Sequence, residues 1–352
     1  MRLDEINTPA LLVDLNAMEA NLNRMTAFFA GKPSKLRPHF KNHKIPLLAL
    51  QQVRAGAIGM TCATVREAEI LVHHGIDSIL IANEVVGSMK PLQIADLSKH
   101  ASVIVAIDNI AGARDLARAA RDRKAQVEIV VDIDIGLKRC GVPSGADAME
   151  LAKFAVEQGL RFRGIMGYDG HLQALPPSEE RDRMVRQGSQ VLVDSAQLIR
   201  SSGLQVEIVS TGGTGTFSVS GAYPGITEIQ AGSYLLMDTL YVERDSPFQP
   251  ALTMLATVIS KPECGRAVID CGVKASSSER GLPTVKNMPG VHLRTLHAEH
   301  GLLEIDRSAA IDIEVGQKIE LWVQYSDATV NLNSVLYGAR DSQVEEVFRI
   351  EH

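Results

Sequence analysis

Two hydrophobic rhythms alternate along the chain. Short β-branched or apolar runs are separated by longer stretches in which apolar residues recur every three or four positions, the periods of strand and helix. Runs of the first kind occupy residues 36–41, 58–62, 78–82, 102–107, 126–133, 162–168, 206–210 and 227–232. Between them lie segments such as 65–74 and 179–201. In the second, Ser178 offers an N-cap and Glu179 and Glu180 put acid in the first turn. Strand and helix in alternation predict parallel pairing, because each crossover needs a helix to cover the sheet. Eight such strands predict an α/β fold, a parallel (β/α)8 barrel of the TIM type.

After about residue 235 the rhythm changes. Residues 251–261, 266–273, 292–305 and 317–323 read as strands without helices between them, and in the last Ile319, Leu321 and Val323 alternate with Lys318, Glu320 and Trp322. A C-terminal β domain is therefore expected, with the barrel over residues 1–240 and the β domain over 241–352, linked near Pro247 and Pro250. A short run at 10–13 and a helical pattern at 16–29 precede the first barrel strand and are expected either in the barrel or beside the β domain.

The length of 352 residues accommodates a barrel of about 250 with an added domain. A net charge of −6 supplies no basic footprint, which argues against nucleic acid as a partner. The start, Met1-Arg2-Leu3-Asp4-Glu5, lacks the apolar stretch of a secretion signal, and no apolar run approaches the ~20 residues that cross a bilayer. Cys62, Cys140, Cys264 and Cys271 are scattered and form no Cys-x-x-Cys pair, as expected of reduced thiols in a cytoplasmic protein.

Four segments carry candidate chemistry. Arg37-Pro38-His39-Phe40-Lys41-Asn42-His43-Lys44 closes the first strand; crowded cations can hold a lysine neutral and nucleophilic, and the same run also reads as a solvated basic loop. Ser210-Thr211-Gly212-Gly213-Thr214-Gly215-Thr216 follows the seventh strand and Gln230-Ala231-Gly232-Ser233 the eighth, the place where barrels often hold a phosphate; a plain turn is the other reading. Tyr168 ends the sixth strand and either stacks on a flat ring or fills the core. His297 and His300 are candidate metal ligands or ordinary surface histidines.

Taken in order, these segments resemble the D-threonine aldolase and D-serine dehydratase family, a branch of the alanine racemase-like (fold-type III) enzymes of pyridoxal 5′-phosphate. The resemblance rests on Thr8-Pro9-Ala10, Arg37 to Lys41, Gly136-Leu137-Lys138-Arg139-Cys140-Gly141-Val142, Gly164-Ile165-Met166-Gly167-Tyr168, Thr211 to Thr216, Glu228 to Tyr234 and Glu299-His300-Gly301. It implies that Lys41 holds the cofactor as a Schiff base and moves protons at the substrate's α-carbon. It places His39 and Arg139 near the cofactor, the latter by its phenolic oxygen, with Tyr168 against the ring and Gln230 near the ring nitrogen. Thr211, Gly212, Gly213, Gly232 and Ser233 would bind the phosphate.

The family also coordinates a divalent cation (manganese, magnesium or zinc). Thr329-Val330-Asn331 fixes the register, putting Asp327 at the second ligand position and Tyr325 where a histidine is expected. A phenol with a pKa of about 10 is a poor ligand near neutral pH. Either Asp327 holds the cation with His300 or water, or the site is lost.

The resemblance implies a homodimer acting on a small D-amino acid, cleaving a D-3-hydroxy amino acid by retro-aldol reaction to glycine or a similar amino acid plus an aldehyde. The carboxylate at Asp327 favours this over β-elimination, since the dehydratases place a thiolate there. Without a cation, His300, His39 or Tyr325 is left to take the β-hydroxyl proton. Dehydration, racemisation and a non-catalytic cofactor carrier are the alternatives.

Overall fold

The computed structural model describes residues 1–242, 246–309 and 311–352. Two compact units emerge. One comprises Met25–Lys41 and Pro46–Gly232; the other comprises Met1–Arg24, Asn42–Ile45 and Ser233–His352. The strand Ala10–Asp14 (β1) belongs to the second unit.

The first unit is the barrel. Its strands are Lys35–Leu36 (β2), Met60–Cys62 (β3), Ser78–Glu84 (β4), Ser102–Ile107 (β5), Glu128–Asp132 (β6), Arg161–Met166 (β7), Ile208–Thr211 (β8) and Glu228–Ile229 (β9). They pair in the order β2-β9-β8-β7-β6-β5-β4-β3, all parallel. The ring closes between its two end strands. Ile58 N–H donates to the Leu36 carbonyl (2.9 Å) and Thr61 N–H to that of Pro38 (2.8 Å), and His39 bridges to Thr61.

Helices cross over as the periodicity requires. Thr64 caps Val65–His73 through Glu67 N–H, and Ser178 caps Glu179–Ser201 through Arg181 N–H. The expected first strand is cut short. Its regular part is only two residues, although Arg37 and His39 N–H still donate to the Ile229 and Ala231 carbonyls (2.9 and 3.2 Å) before residues Phe40–Asn42 wind into a 3-10 turn.

Strand alternation sorts the barrel interior into layers. Leu80, Ile104, Ala106, Val130, Met166 and Ile208 form its apolar filling. Two residues below, on the same faces, stand Ser78, Ser102 and Glu128, joined by Glu228 and Arg37 in a buried polar floor. Two residues above come Asp108, Asp132, Tyr168 and Ser210. Glu84 reaches the same level past a bulge between Ile81 and itself, a device that re-aims a side chain at a barrel rim.

The second unit is β-rich. It holds β1 together with Leu252–Glu263 (β10), Arg266–Ile269 (β11), Thr284–Val285 (β12), Val291–Leu296 (β13), Gly301–Ile305 (β14), Lys318–Trp322 (β15), Val335–Arg340 (β16) and Gln343–Arg349 (β17). The order is β13-β14-β11-β10-β1-β16-β17, with β15 on β10 and β12 on β15. β1 lies between β10 (antiparallel) and β16 (parallel).

Two expectations are corrected here. Residues 292–305 do not form one strand. They fold back at an exposed turn in which His297 N–H donates to the His300 carbonyl (2.7 Å), giving the β13-β14 hairpin. The hairpin β16-β17 adds strands beyond those expected. No helix among the described residues is long and apolar enough to cross a membrane.

Candidate active site

Lys41 sits half-buried on the 3-10 turn, its backbone N–H 3.4 Å from His39 Nδ1. The basic run around it does not act as one cluster. Arg37 points to the floor, donating from Nε and Nη2 to the two oxygens of Glu228 (3.1 Å each) and from Nη1 to Ser78 Oγ (2.9 Å). In the other unit, His43 is buried with Nδ1 accepting from Ile45 N–H (3.0 Å), and Lys44 Nζ donates to Asn331 Oδ1 (2.6 Å). Arg37 is neutralised by a carboxylate, so like-charge crowding by it is absent.

The mouth of the barrel over β7, β8 and β9 is built from hydroxyls, an amide and glycines. Thr211 Oγ1 donates to the Gly167 carbonyl (2.7 Å), tying the end of β8 to that of β7. Gly212 has φ +74°, which favours glycine. A Cβ at Gly213 would lie 2.5 Å from Gln173 Oε1, so the loop approaches Gln173 as only glycine allows.

Gln173 is the scaffold of this loop. Its Nε2 donates to Asp169 Oδ1 (2.6 Å) and Thr216 Oγ1 (2.9 Å), and its Oε1 accepts from Gly215 N–H (2.9 Å). Burial raises the Asp169 carboxyl above its usual range, against the hydrogen bonds from Thr216 and Gln173. Gln230 is buried and donates from Nε2 to Ser210 Oγ (2.9 Å). Gly232 closes this side, and Ser233 begins the other unit, where Asn42 Nδ2 lies 3.5 Å from its Oγ.

Over β4, β5 and β6 the mouth is acidic. Glu84, Asp108 and Cys140 bring one ligating atom each to within 4.8 Å of one another. Asn109 Nδ2 donates to Asp108 Oδ1 (2.6 Å) and Gly141 N–H to its Oδ2 (3.2 Å). Asp132 is buried, and its Oδ1 has no hydrogen-bond partner. Burial first, then the Glu84 carboxylate, pushes Asp132 up to about 8, with Arg139 opposing. Burial and Glu84 raise the Cys140 thiol as well.

Arg139 is exposed, and its guanidinium carbon stands 5.5 Å from the centre of the half-buried Tyr168 ring. Its loop is shaped by Asp134, whose Oδ1 accepts from Gly136 N–H (2.9 Å) and Lys138 N–H (3.0 Å), donors that hold that carboxyl below the usual range.

In the β-rich unit the helix Ser326–Asn331 carries Asp327 in its first turn. Asn42 Nδ2 donates to Asp327 Oδ1 (2.6 Å) and Ser326 Oγ (2.8 Å), and Ser326 donates from both N–H (2.8 Å) and Oγ (2.7 Å) to Asp238 Oδ2. Burial pushes Asp238 up to about 6. Burial and the Asp327 charge push the Tyr325 phenol up to about 12, and the Arg280 guanidinium lies 5.7 Å from the Tyr325 ring centre. His300 is exposed in the hairpin turn.

These residues do not fit a divalent cation. Tyr325 keeps its proton, and among the described residues Asp327 belongs to no group of three His, Cys, Asp or Glu donors.

A parallel eight-stranded barrel with a lysine at its first strand end, glycine loops after its last two strands and an attached β unit defines the alanine racemase-like class of fold. Comparison with known proteins agrees. The family model "Alanine racemase, N-terminal domain" matches residues 13–239, and a serine dehydratase domain model matches 251–339. The chain belongs to this fold-type III, pyridoxal 5′-phosphate-dependent family.

It is 36% identical to a D-threonine aldolase of Arthrobacter sp, over 99% of this chain and 93% of that one. The crystal structure of D-threonine aldolase from Filomicrobium marinum superposes with a TM-score of 0.95 at 36% identity, covering 99% of this chain and 96% of the other. D-threo-3-hydroxyaspartate dehydratase from Delftia sp. HT23 gives 0.89 at 28%, covering 100% and 99%.

The residues present fit pyridoxal 5′-phosphate. The glycine loop is a cradle that a Cβ would fill, and Ser220 Oγ, buried and without a partner, lies beside Gly212.

Gln173, Asp169, Asn42 and the acids Glu84, Asp108 and Asp132 were not singled out by sequence reasoning. Strand alternation carries a signal for the acids once a register is known. Gln173 lies in irregular chain and gives none.

Proposed function

We propose that the chain is a lyase that cleaves a D-3-hydroxy amino acid, D-threonine-like, to glycine or a similar amino acid and an aldehyde. The observation that carries this reading is the 36% identity to a D-threonine aldolase over 99% of this chain, β unit included. Lys41 is the amine that attaches the cofactor and then holds or moves the proton at the substrate's α-carbon. Thr211, Gly212, Gly213, Gly232 and Ser233 hold the phosphate, with Gln173 keeping the loop in shape. Tyr168 would pack against the cofactor's ring, and Arg139, whose guanidinium stands 5.5 Å from the Tyr168 ring centre, would lie near the cofactor's phenolic oxygen, with His39 alongside.

Gln230 meets the ring nitrogen as an amide already engaged with Ser210, so it does not hold a proton there as a carboxylate would. When bound, the cofactor supplies an electron sink for the carbanion left when the Cα–Cβ bond breaks. The β-hydroxyl proton is taken by His300. Tyr325 is unsuited to that task, because its phenol is held up to about 12.

The protein acts as a homodimer in the cytoplasm. Its four cysteines are free thiols, as that compartment favours.

Incubation with D-threonine and D-serine tests the reaction. Glycine and acetaldehyde from D-threonine are expected. A 2-oxo acid with ammonia would replace this reading by dehydration, and an L-isomer by racemisation. Lys41→Ala is expected to abolish the borohydride-fixed cofactor label and to lower turnover by about 10³-fold or more. A retained label would overturn the assignment of Lys41.

A further inference from the structure

We propose that the acidic side of the barrel mouth is a divalent-cation site, with zinc held by the Glu84 and Asp108 carboxylates and the Cys140 thiolate over Asp132. Each of the three ligands already offers an atom within 4.8 Å of the others. Tetrahedral donors on zinc, at about 2.0–2.3 Å from the metal, stand about 3.3–3.8 Å apart, so the three side chains need to draw together by about an ångström to complete the shell.

Three strand ends bring these groups together. Glu84 arrives by the bulge in β4, Asp108 follows β5, and Cys140 lies in the loop after β6. Asp108 is held in place by Asn109 and Gly141, one donor on each oxygen, and each oxygen keeps a further lone pair for a metal.

Beside these ligands Asp132, close enough to interact with Glu84 and Asp108, is only 6% exposed, and its Oδ1 has no hydrogen-bond partner. A buried acceptor left unsatisfied points to a ligand that the chain does not itself supply.

The donor chemistry selects among cations. Carboxylate oxygens alone suit magnesium or calcium, whereas a thiolate beside them suits zinc. On binding, the Cys140 thiol gives its proton to solvent and the sulfur bonds the metal. The site belongs to the barrel unit alone and shares no residue with the Asp327 group.

The test is zinc chloride titrated calorimetrically into chelator-treated holoenzyme, followed by X-ray absorption at the zinc edge. Expected is one zinc per chain, with a sulfur neighbour at about 2.3 Å. Affinity should fall at least about tenfold in Cys140→Ser and in Glu84→Gln, the effect of losing even an outer-shell partner. It should be unchanged in Asp327→Asn and in Cys264→Ser, which remove the carboxylate of the β unit and the exposed cysteine. Circular dichroism of each variant shows whether it is folded, and either of the first two variants suffices. No uptake, uptake without a sulfur neighbour, or loss of binding in Asp327→Asn or Cys264→Ser would each overturn the site. A shared proton between Asp132 and Glu84 would then account for the cluster. The readouts are independent of turnover, so they stand whichever reaction the enzyme catalyses.

Discussion

The floor and the mouth of the barrel bury similar groups and treat them differently. At the floor every charge is answered. Arg37 forms a two-pronged pair with Glu228 and reaches Ser78. Glu128 accepts from Ser102 (2.6 Å) and Arg163 (2.7 Å) and pairs with Arg161 (3.0 Å). At the mouth three carboxyl groups meet one guanidinium, burial and Glu84 hold Asp132 up to about 8, and its Oδ1 is left without a partner. Burial penalises both ends alike. The difference is that the floor is complete as folded, whereas the mouth is finished only by something bound. Stability and function are thus divided along the barrel axis, within the same eight strands.

Breaking the floor should have the largest effect on stability. Arg37→Ala leaves Glu228 buried and unpaired and is expected to cost about 3–5 kcal/mol in urea unfolding, with turnover per folded molecule little changed. A loss under about 1 kcal/mol would show that the floor is not where stability is stored.

The glycine side of the mouth comes next. Gly213→Ala pushes a methyl group against Gln173 and is expected to weaken cofactor binding by roughly ten- to a hundredfold, from about 1–3 kcal/mol of overpacking. Absorbance titration with the cofactor measures this, and equal affinity would show that the loop is not the phosphate cradle.

The acidic side gives the smallest effect, visible as a pH trend. The Asp132 carboxyl is raised in the fold, so its contribution to stability is present below the ordinary carboxylate range and is lost as pH rises through about 8. In cation-free protein the melting temperature should fall by at least about 3 °C between pH 6 and pH 9, and Asp132→Asn should flatten that slope. An unchanged slope in the variant would assign the trend to other groups.

Much of this architecture was legible in the sequence. Seven of the eight barrel strands announce themselves through apolar or β-branched runs, the first being reduced to Lys35–Leu36, and the Ser178 cap marks its helix to the residue. The misses have local causes. β16 and β17 carry charged residues on exposed faces, and their turn, Asp341-Ser342, has both residues at positive φ (49° and 67°) without the glycine that usually signals it. The hairpin at His297 to His300 was passed over although a polar His-Ala-Glu-His stretch followed by Gly301 interrupts the apolar residues there.

In the candidate site, Lys41 and the glycine loops stand out in the sequence because each is a contiguous motif. The acidic cluster does not. Glu84, Asp108 and Asp132 are 24 residues apart in each step, and only the side-by-side packing of β4, β5 and β6 makes them neighbours. Gln173 is another such case, since its partners lie 4 to 43 residues away.

The brief departure of Asn42–Ile45 from the barrel unit has a practical corollary for anyone cutting the gene into pieces. A fragment ending near residue 232 would keep Lys41. It would strip the very next residue of its anchors, since Asn42 is moored to Ser326 and Asp327 almost 300 positions downstream. Truncation there therefore removes the hydrogen-bond partners of the residue that follows Lys41.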